Sequence, residues 1–237
     1  MWPGWGYPNK EAPYGYVAIR GFSFPGFAMP HEPPAIRVVA FVDGQNLFHS
    51  AREAFGCTYP NYDVGKLAKA ICVAKGWQLN QTRFYTGVPD SKDNPFWHAF
   101  WSNKLLVMRR AGISVFSRAL RYRNQRVDLP DGSVHTFLVG EEKGVDVRIA
   151  LDIIRMAHRA EYDAALVFSQ DQDLSEAAEE IRVIAHEQNR WIKVVSCYPI
   201  SPTVRNRRGI DKTDWFQIDR ALYDSCTDPR DYRPKKP

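Results

Sequence analysis

The stretch Arg37–Asn46 reads R-V-V-A-F-V-D-G-Q-N. An unbroken apolar run, Val38 to Val42, ends abruptly in an acid, a glycine and two amides. A short run of this kind, rich in β-branched residues, fits a strand buried on both faces, as in a parallel sheet. The acid that follows either ends the strand in a turn or stands at the mouth of a site. How the other strands end decides between the two.

Outward from this stretch the pattern alternates. Arg37–Val42 is a strand, and Leu47–Phe55 is a helix with Asn46 in the N-cap position. Val64–Lys75 is a helix behind Asp63, Gln78–Tyr85 a strand, Phe96–Ala111 a helix stopped by Gly112, and Ile113–Ala119 a strand. Residues 121–138 form a basic hairpin turning at Pro130-Asp131-Gly132. The helix Val145–Ala160, the strand Ala164–Phe168, the helix Leu174–Glu187 and the strand Trp191–Cys197 follow, with helical turns around Phe216–Tyr223. Strands alternating with helices imply βαβ units, and so an α/β fold of three layers around a mostly parallel, Rossmann-like sheet. Three regions are expected: an irregular arm at 1–35, a domain at 36–200 and a basic extension at 201–237. The arm is rich in Gly, Pro and aromatic residues, among them Trp2, Trp5, Tyr14 and Phe24.

In such a sheet ligands bind beyond the carboxyl ends of the strands. The strand Ala164–Phe168 is followed by Ser169-Gln170-Asp171-Gln172-Asp173, which places two more acids at the edge that carries Asp43. Asp173 with Glu176 fits an N-terminal capping pair, which leaves Asp171 unexplained. Asp146 opens a helix and shares a face with Ile149, Ala150, Ile153 and Ala157, so this acid heads an apolar stripe. Asp152 points elsewhere, within reach of Arg148 and Arg155, and has a structural role. Each acid alone reads as a cap or a turn residue. Together, Asp43, Asp146, Asp171 and Asp173 are like charges at one edge and call for a cation or raised pKa values. An all-oxygen set suits Mg²⁺ or Mn²⁺, which activate water and stabilise the leaving oxygen of a phosphodiester.

Composition and charge agree with such a partner. The chain has 237 residues, 44% of them hydrophobic, enough for one core with extensions. No apolar segment approaches a membrane span, and the start MWPGWGYPNKEAPYGY has no secretion-signal pattern. Cys57, Cys72, Cys197 and Cys226 form no C-x-x-C, which favours a reducing compartment and a cytoplasmic location. Between Asp93 and Asp128 there is no acid, whereas Lys104, Arg109, Arg110, Arg118, Arg121, Arg123 and Arg126 all fall there. Further clusters lie at Arg205, Arg207 and Arg208 and in the tail. Clustered cations suit a polyphosphate partner, and equally describe a solvated basic face.

The motifs F-V-D-G-Q-N, K-G-V-D-V-R-I-A-L-D and S-Q-D-Q-D, in that order, resemble the NYN domain, in particular its LabA-like branch, among the PIN-like nucleases. The resemblance covers about residues 36–200 and implies metal-dependent cleavage of RNA. It implies Asp43, Asp146, Asp171 and Asp173 as catalytic metal ligands. Asn46 would orient a water or phosphate, and Ser169 would brace the Asp171 loop beside the substrate. Lys143, Arg118, Arg121 and Arg123 are the expected substrate contacts, and Gly44 is expected to turn the chain sharply beside the metal. Gln170 and Gln172 stand where many members carry small residues. Two other readings compete: an RNA-binding module of the same fold with little turnover, and a phosphatase with Asp43 as nucleophile. The second lacks the acid it needs at position 45, where Gln45 stands. No phosphate-binding glycine loop and no nucleophile elbow occurs. The residues themselves leave DNA, and assembly as a homo-oligomer, open.

Overall fold

The structure, a computed structural model, describes residues 30–129 and 133–234. The aromatic arm up to residue 29, the hairpin tip at Pro130–Gly132 and the last lysines lie outside the described residues.

Strand β1 (Arg37–Asp43) runs into helix α1 (Gly44–Phe55) without a linker, and α2 (Val64–Lys75), β2 (Gln78–Val88), α3 (Pro95–Arg110) and β3 (Ser114–Ala119) follow. A ribbon of β4 (Arg121–Asp128) and β5 (Val134–Glu141) leads to α4 (Val145–His158), β6 (Ala164–Phe168), a 3₁₀ turn (Gln172–Leu174) and α5 (Ser175–Glu187). The chain closes with β7 (Lys193–Pro199), β8 (Asp214–Ile218) and α6 (Arg220–Ser225). Six strands form one parallel sheet in the order β3-β2-β1-β6-β7-β8, and the ribbon is a separate antiparallel pair.

This order is set by where apolar surface must go. Alternate residues of β1 point to opposite faces. Val38, Ala40 and Val42 join a core with Leu47, Leu67, Ile71 and Phe100, whereas Val39 and Phe41 join Ile149, Ile153 and Ile181 on the other side. Both faces are therefore covered, by α1–α3 and by α4–α5, which gives the three-layer α/β arrangement. From β1 the chain winds outward through β2 and β3. It then returns to β6 on the other flank of β1 and winds outward again. The direction reverses between β1 and β6, and at such a switch point the flanking loops part to leave a crevice.

Two expected elements differ. Residues 214–218 are a sixth parallel strand rather than helix, and α6 begins only at Arg220. β8 is a short edge strand with one face exposed, so it lacks the apolar run that marks the inner strands. Helix α1 begins at Gly44, three residues before the expected start, because Asp43 and not Asn46 is its N-cap: the Asp43 Oδ1 accepts the Asn46 N–H at 3.0 Å.

Helix α4 is held by a carboxylate. Asp152 is 1% exposed and accepts hydrogen bonds from Tyr85 Oη at 2.9 Å and Arg83 Nη2 at 3.0 Å, both on β2. Arg148 and Arg155 on its own helix complete the set. Burial by itself would raise this carboxyl, but Tyr85 and Arg83 outweigh it and hold it below the ordinary range. Replacing Asp152 by Asn is expected to lower stability at pH 7 by about 3–5 kcal/mol, the cost of leaving Arg83 without its charge partner. A carboxyl lowered in the folded state contributes above its unfolded pKa and loses that contribution as pH falls through the folded value. The gap between variant and wild type in urea unfolding should therefore narrow in acid; equal midpoints at pH 7 would show that the tie carries no load.

Candidate active site

At the switch point lies an open cavity of about 480 Å³, lined by Asp43, Gln45, Asn46, His49, Glu142, Lys143, Asp146 and Asp171, with Gly144 and Val147 completing the wall. Four elements bring these residues together. β1 ends in Asp43; α1 carries Gln45, Asn46 and His49. The turn into α4 carries Glu142 to Asp146, and the loop after β6 carries Asp171.

The local folding of each piece follows from hydrogen bonds that the backbone must make. Asp43 caps α1, which presses its carboxylate into the sheet edge at 6% exposure. Gly44 is required for space rather than for a sharp turn: an added Cβ would stand 2.5 Å from Phe84 Cζ and 3.0 Å from the Tyr85 carbonyl oxygen. Asn46, freed from capping, accepts the Gln170 N–H at 3.0 Å and so ties the loop after β1 to the loop after β6. Ser169 is 1% exposed, and its Oγ accepts the Asp171 N–H at 3.1 Å while its carbonyl accepts Ser196 Oγ at 2.7 Å. It braces the loop and has no surface to offer a substrate. Asp171 accepts the Asp173 N–H at 3.1 Å and caps the 3₁₀ turn, the role the sequence suggested for Asp173 with Glu176. Helix α5 has no side-chain cap bond.

Three of the four expected acids, Asp43, Asp146 and Asp171, line the cavity. Asp173 does not, and is exposed. Glu142, unremarked in the sequence, takes a place among them and accepts the Gly87 N–H. It stands in Glu141-Glu142-Lys143-Gly144, which reads as an ordinary solvated turn. Lys143 lines the cavity and Arg118 Nη1 lies 3.5 Å from the Lys143 carbonyl oxygen. Arg121 and Arg123 stand farther along, on β4, where Arg123 pairs with Glu141.

Gln170 and Gln172 use their longer side chains as cross-links. Gln170 Nε2 donates to the carbonyls of Asn206 (3.2 Å) and Arg208 (2.8 Å). Gln172 Nε2 donates to that of Gly209 at 3.0 Å, and its Oε1 accepts the Asp211 N–H at 3.1 Å. Two amide side chains thus hold the arginine-bearing loop 205–208 against the site.

The cavity gathers acids whose charges oppose one another. Burial pushes the Asp43 carboxyl up to about 6, against the pull of the Asn46 N–H, with the charges of Asp171 and Asp146 adding to the rise. Burial, then Asp43, pushes Glu142 up to about 7. Among the described residues no three His, Cys, Asp or Glu side chains are gathered tightly enough to hold an ion by themselves. That is compatible with Mg²⁺ or Mn²⁺, which keep several waters and take only one or two carboxylates beside substrate phosphates.

The fold and the cavity together define an α/β protein with an open parallel sheet and an acidic crevice at its switch point. The chain belongs to the NYN domain family, a family of PIN-like nucleases, whose model matches residues 37–199. No curated protein matches. Among solved structures, a protein of unknown function from Vibrio parahaemolyticus is 21% identical, with 80% of this chain and 97% of that one covered and a TM-score of 0.48. A ribokinase from Giardia lamblia is 13% identical, with 73% and 53% covered and a TM-score of 0.33. Among the described residues no helix is long and apolar enough to cross a membrane.

A group whose folded pKa is raised destabilises the fold once it ionises. The penalty is absent below the unfolded value and complete above the folded one. Asp43→Asn keeps a cap oxygen and removes the buried charge. Its melting temperature in chelator at pH 8 is expected to exceed that of wild type by about 5 °C, with the gain vanishing as pH falls from about 6 towards 3.8. Thermal unfolding across that range checks it; a loss of stability at pH 8 would mean the carboxylate is compensated in a way its neighbours do not reveal.

Proposed function

We propose that the protein is a Mg²⁺- or Mn²⁺-dependent ribonuclease that hydrolyses phosphodiester bonds of RNA internally. The observation that carries this reading is the gathering of Asp43, Glu142, Asp146 and Asp171 around one open cavity at the switch point. Their mutual repulsion gives them little reason to be there without a cation. The divalent ion, when bound, supplies charge neutralisation at the phosphate and a water acidic enough to attack at neutral pH.

The chain's own residues do the rest. One or two of Asp43, Glu142, Asp146 and Asp171 would hold the ion directly and the rest through its waters; the raised carboxyls of Asp43 and Glu142 would favour its binding as pH rises through 6 to 7. Whichever of Asp43 and Glu142 does not ligate the ion would stand in the cavity as the acceptor for the proton of the attacking water. Asn46 keeps Asp43 and Asp171 in register by its two hydrogen bonds, one from its N–H and one to its Oδ1. Lys143 and Arg118 at the rim offset the repulsion that an acidic cavity exerts on a polyanion. Gln45 faces the cavity as an amide and cannot serve as general acid, which disfavours phosphoryl transfer to Asp43.

Incubation of single-stranded RNA with and without Mn²⁺ tests this. Cleavage should require the ion and should fall about a hundredfold or more in Asp43→Asn and in Asp171→Asn, since even supporting residues of metal sites cost ten- to a hundredfold. Asp173→Asn, outside the cavity, should lose less than about tenfold. Cleavage without metal, or untouched by both of the first two substitutions, would overturn the reading. RNA binding in chelator with no product at high protein would favour the binding module instead.

A further inference from the structure

A second cavity, of about 550 Å³, opens beside the acidic one and shares Asn46 and His49 with it. Its floor is α1, which contributes Ser50, Arg52 and Glu53; its far wall is Gln170 and Asn206. Every lining residue is polar, which excludes an apolar ligand. Glu53 is its one carboxylate, and the charge beside it is Arg52, so the cavity is not another cation site.

The wall is built in advance. Ser50 Oγ donates to Gln170 Oε1 at 3.0 Å, and the Gln170 amide is spent on the carbonyls of Asn206 and Arg208. Glu53 Oε1 accepts the Arg205 N–H at 3.0 Å, which fixes the same loop from below. Ordering of this kind lowers what a ligand must spend in conformational entropy.

Two side chains are left to bind. Arg52 makes no ion pair among the described residues; its guanidinium lies over the Phe48 ring, 5.7 Å from the centroid, and its Nη2 stands 3.3 Å from His49 Nδ1. Arginine can only donate, so Nδ1 accepts and the imidazole proton is on Nε2. Burial and the Arg52 charge hold His49 below its ordinary pKa, so the ring is neutral at neutral pH. A neutral planar ring with one N–H donor, beside a guanidinium that has no ion pair among the described residues, is suited to a base next to a phosphate.

We propose that this second cavity is a nucleotide subsite of the same active centre. It takes the nucleotide next to the phosphodiester held in the acidic cavity, with Arg52 on its phosphate and the His49 ring against its base. The strand then runs from the Arg118 and Lys143 rim, across the acids, and along α1. This inference rests on the nuclease reading for its ligand, but it is tested by binding, not by turnover.

Fluorescently labelled single-stranded RNA hexamer is titrated in chelator against wild type, Arg52→Gln, His49→Ala and Arg159→Gln. Arg159 follows α4 at the opposite edge of the sheet and controls for net charge. Arg52→Gln should weaken binding roughly three- to tenfold and reduce the slope of log affinity against log salt by about one, the share of one phosphate contact. His49→Ala should weaken binding with the slope unchanged, and Arg159→Gln should match wild type. Wild-type binding by both Arg52→Gln and His49→Ala, an equal loss in Arg159→Gln, or no hexamer binding by wild type would overturn the inference. Wild type that binds in the expected way and cleaves nothing with Mn²⁺ would overturn the nuclease reading alone. Cleavage with hexamer binding untouched by both subsite substitutions would overturn the subsite alone.

Discussion

The structure depends on where it puts one carboxylate. Asp43 ends the innermost strand and caps the helix that follows, so strand and helix meet with no loop between them. That junction leaves no room for a Cβ at Gly44, and it sets Asn46 where its side chain can reach the loop after β6. The two strands that flank the switch point are thereby locked in register at their carboxyl ends. The loop that carries Asp171, braced by Ser169, is held against β1 by this lock.

A buried aspartate is expensive, and among those of the described residues Asp152 and Asp43 meet the expense in opposite ways. Asp152 is surrounded by donors, Tyr85 and three arginines, and its carboxyl is pulled down. Asp43 is buried nearly as deeply, yet its neighbours across the cavity are Asp171, Asp146 and Glu142, and its carboxyl is pushed up. The first arrangement is what stability alone would produce. The second keeps the helix cap but carries the cost of an uncompensated buried charge, and perturbed carboxyls of this kind cluster at functional sites.

Much of this was legible in the chain. The apolar run before Asp43, the alternation of strands and helices and the acids after two strands point to the parallel sheet and to the edge that carries the site. What escaped has physical reasons. β8 buries one face only and so shows no apolar run. Glu142 acquires its character from Gly87 and Asp43, which are distant in sequence. The exchange of capping roles between Asp43 and Asn46, and between Asp171 and Asp173, depends on backbone angles that spacing does not reveal. Gln170 and Gln172 looked like intrusions into a family pattern. They are cross-links to residues 206–211, a contact that no local periodicity announces.

The charge layout makes sense only with all three zones together. A net charge of +5 would attract a polyanion to the surface at large. The acids at the switch point would repel it from the place where the proposed function needs it. Cations on two sides resolve the conflict: Arg118 and Lys143 where the ribbon enters α4, and Arg52 on α1. Each lies against a segment fixed by hydrogen bonds rather than at a free loop tip, so the attraction is aimed as well as strong. On the proposed function, salt and divalent cation would act on different zones, salt weakening the grip of the flanks and the ion deciding whether the centre accepts a phosphate at all.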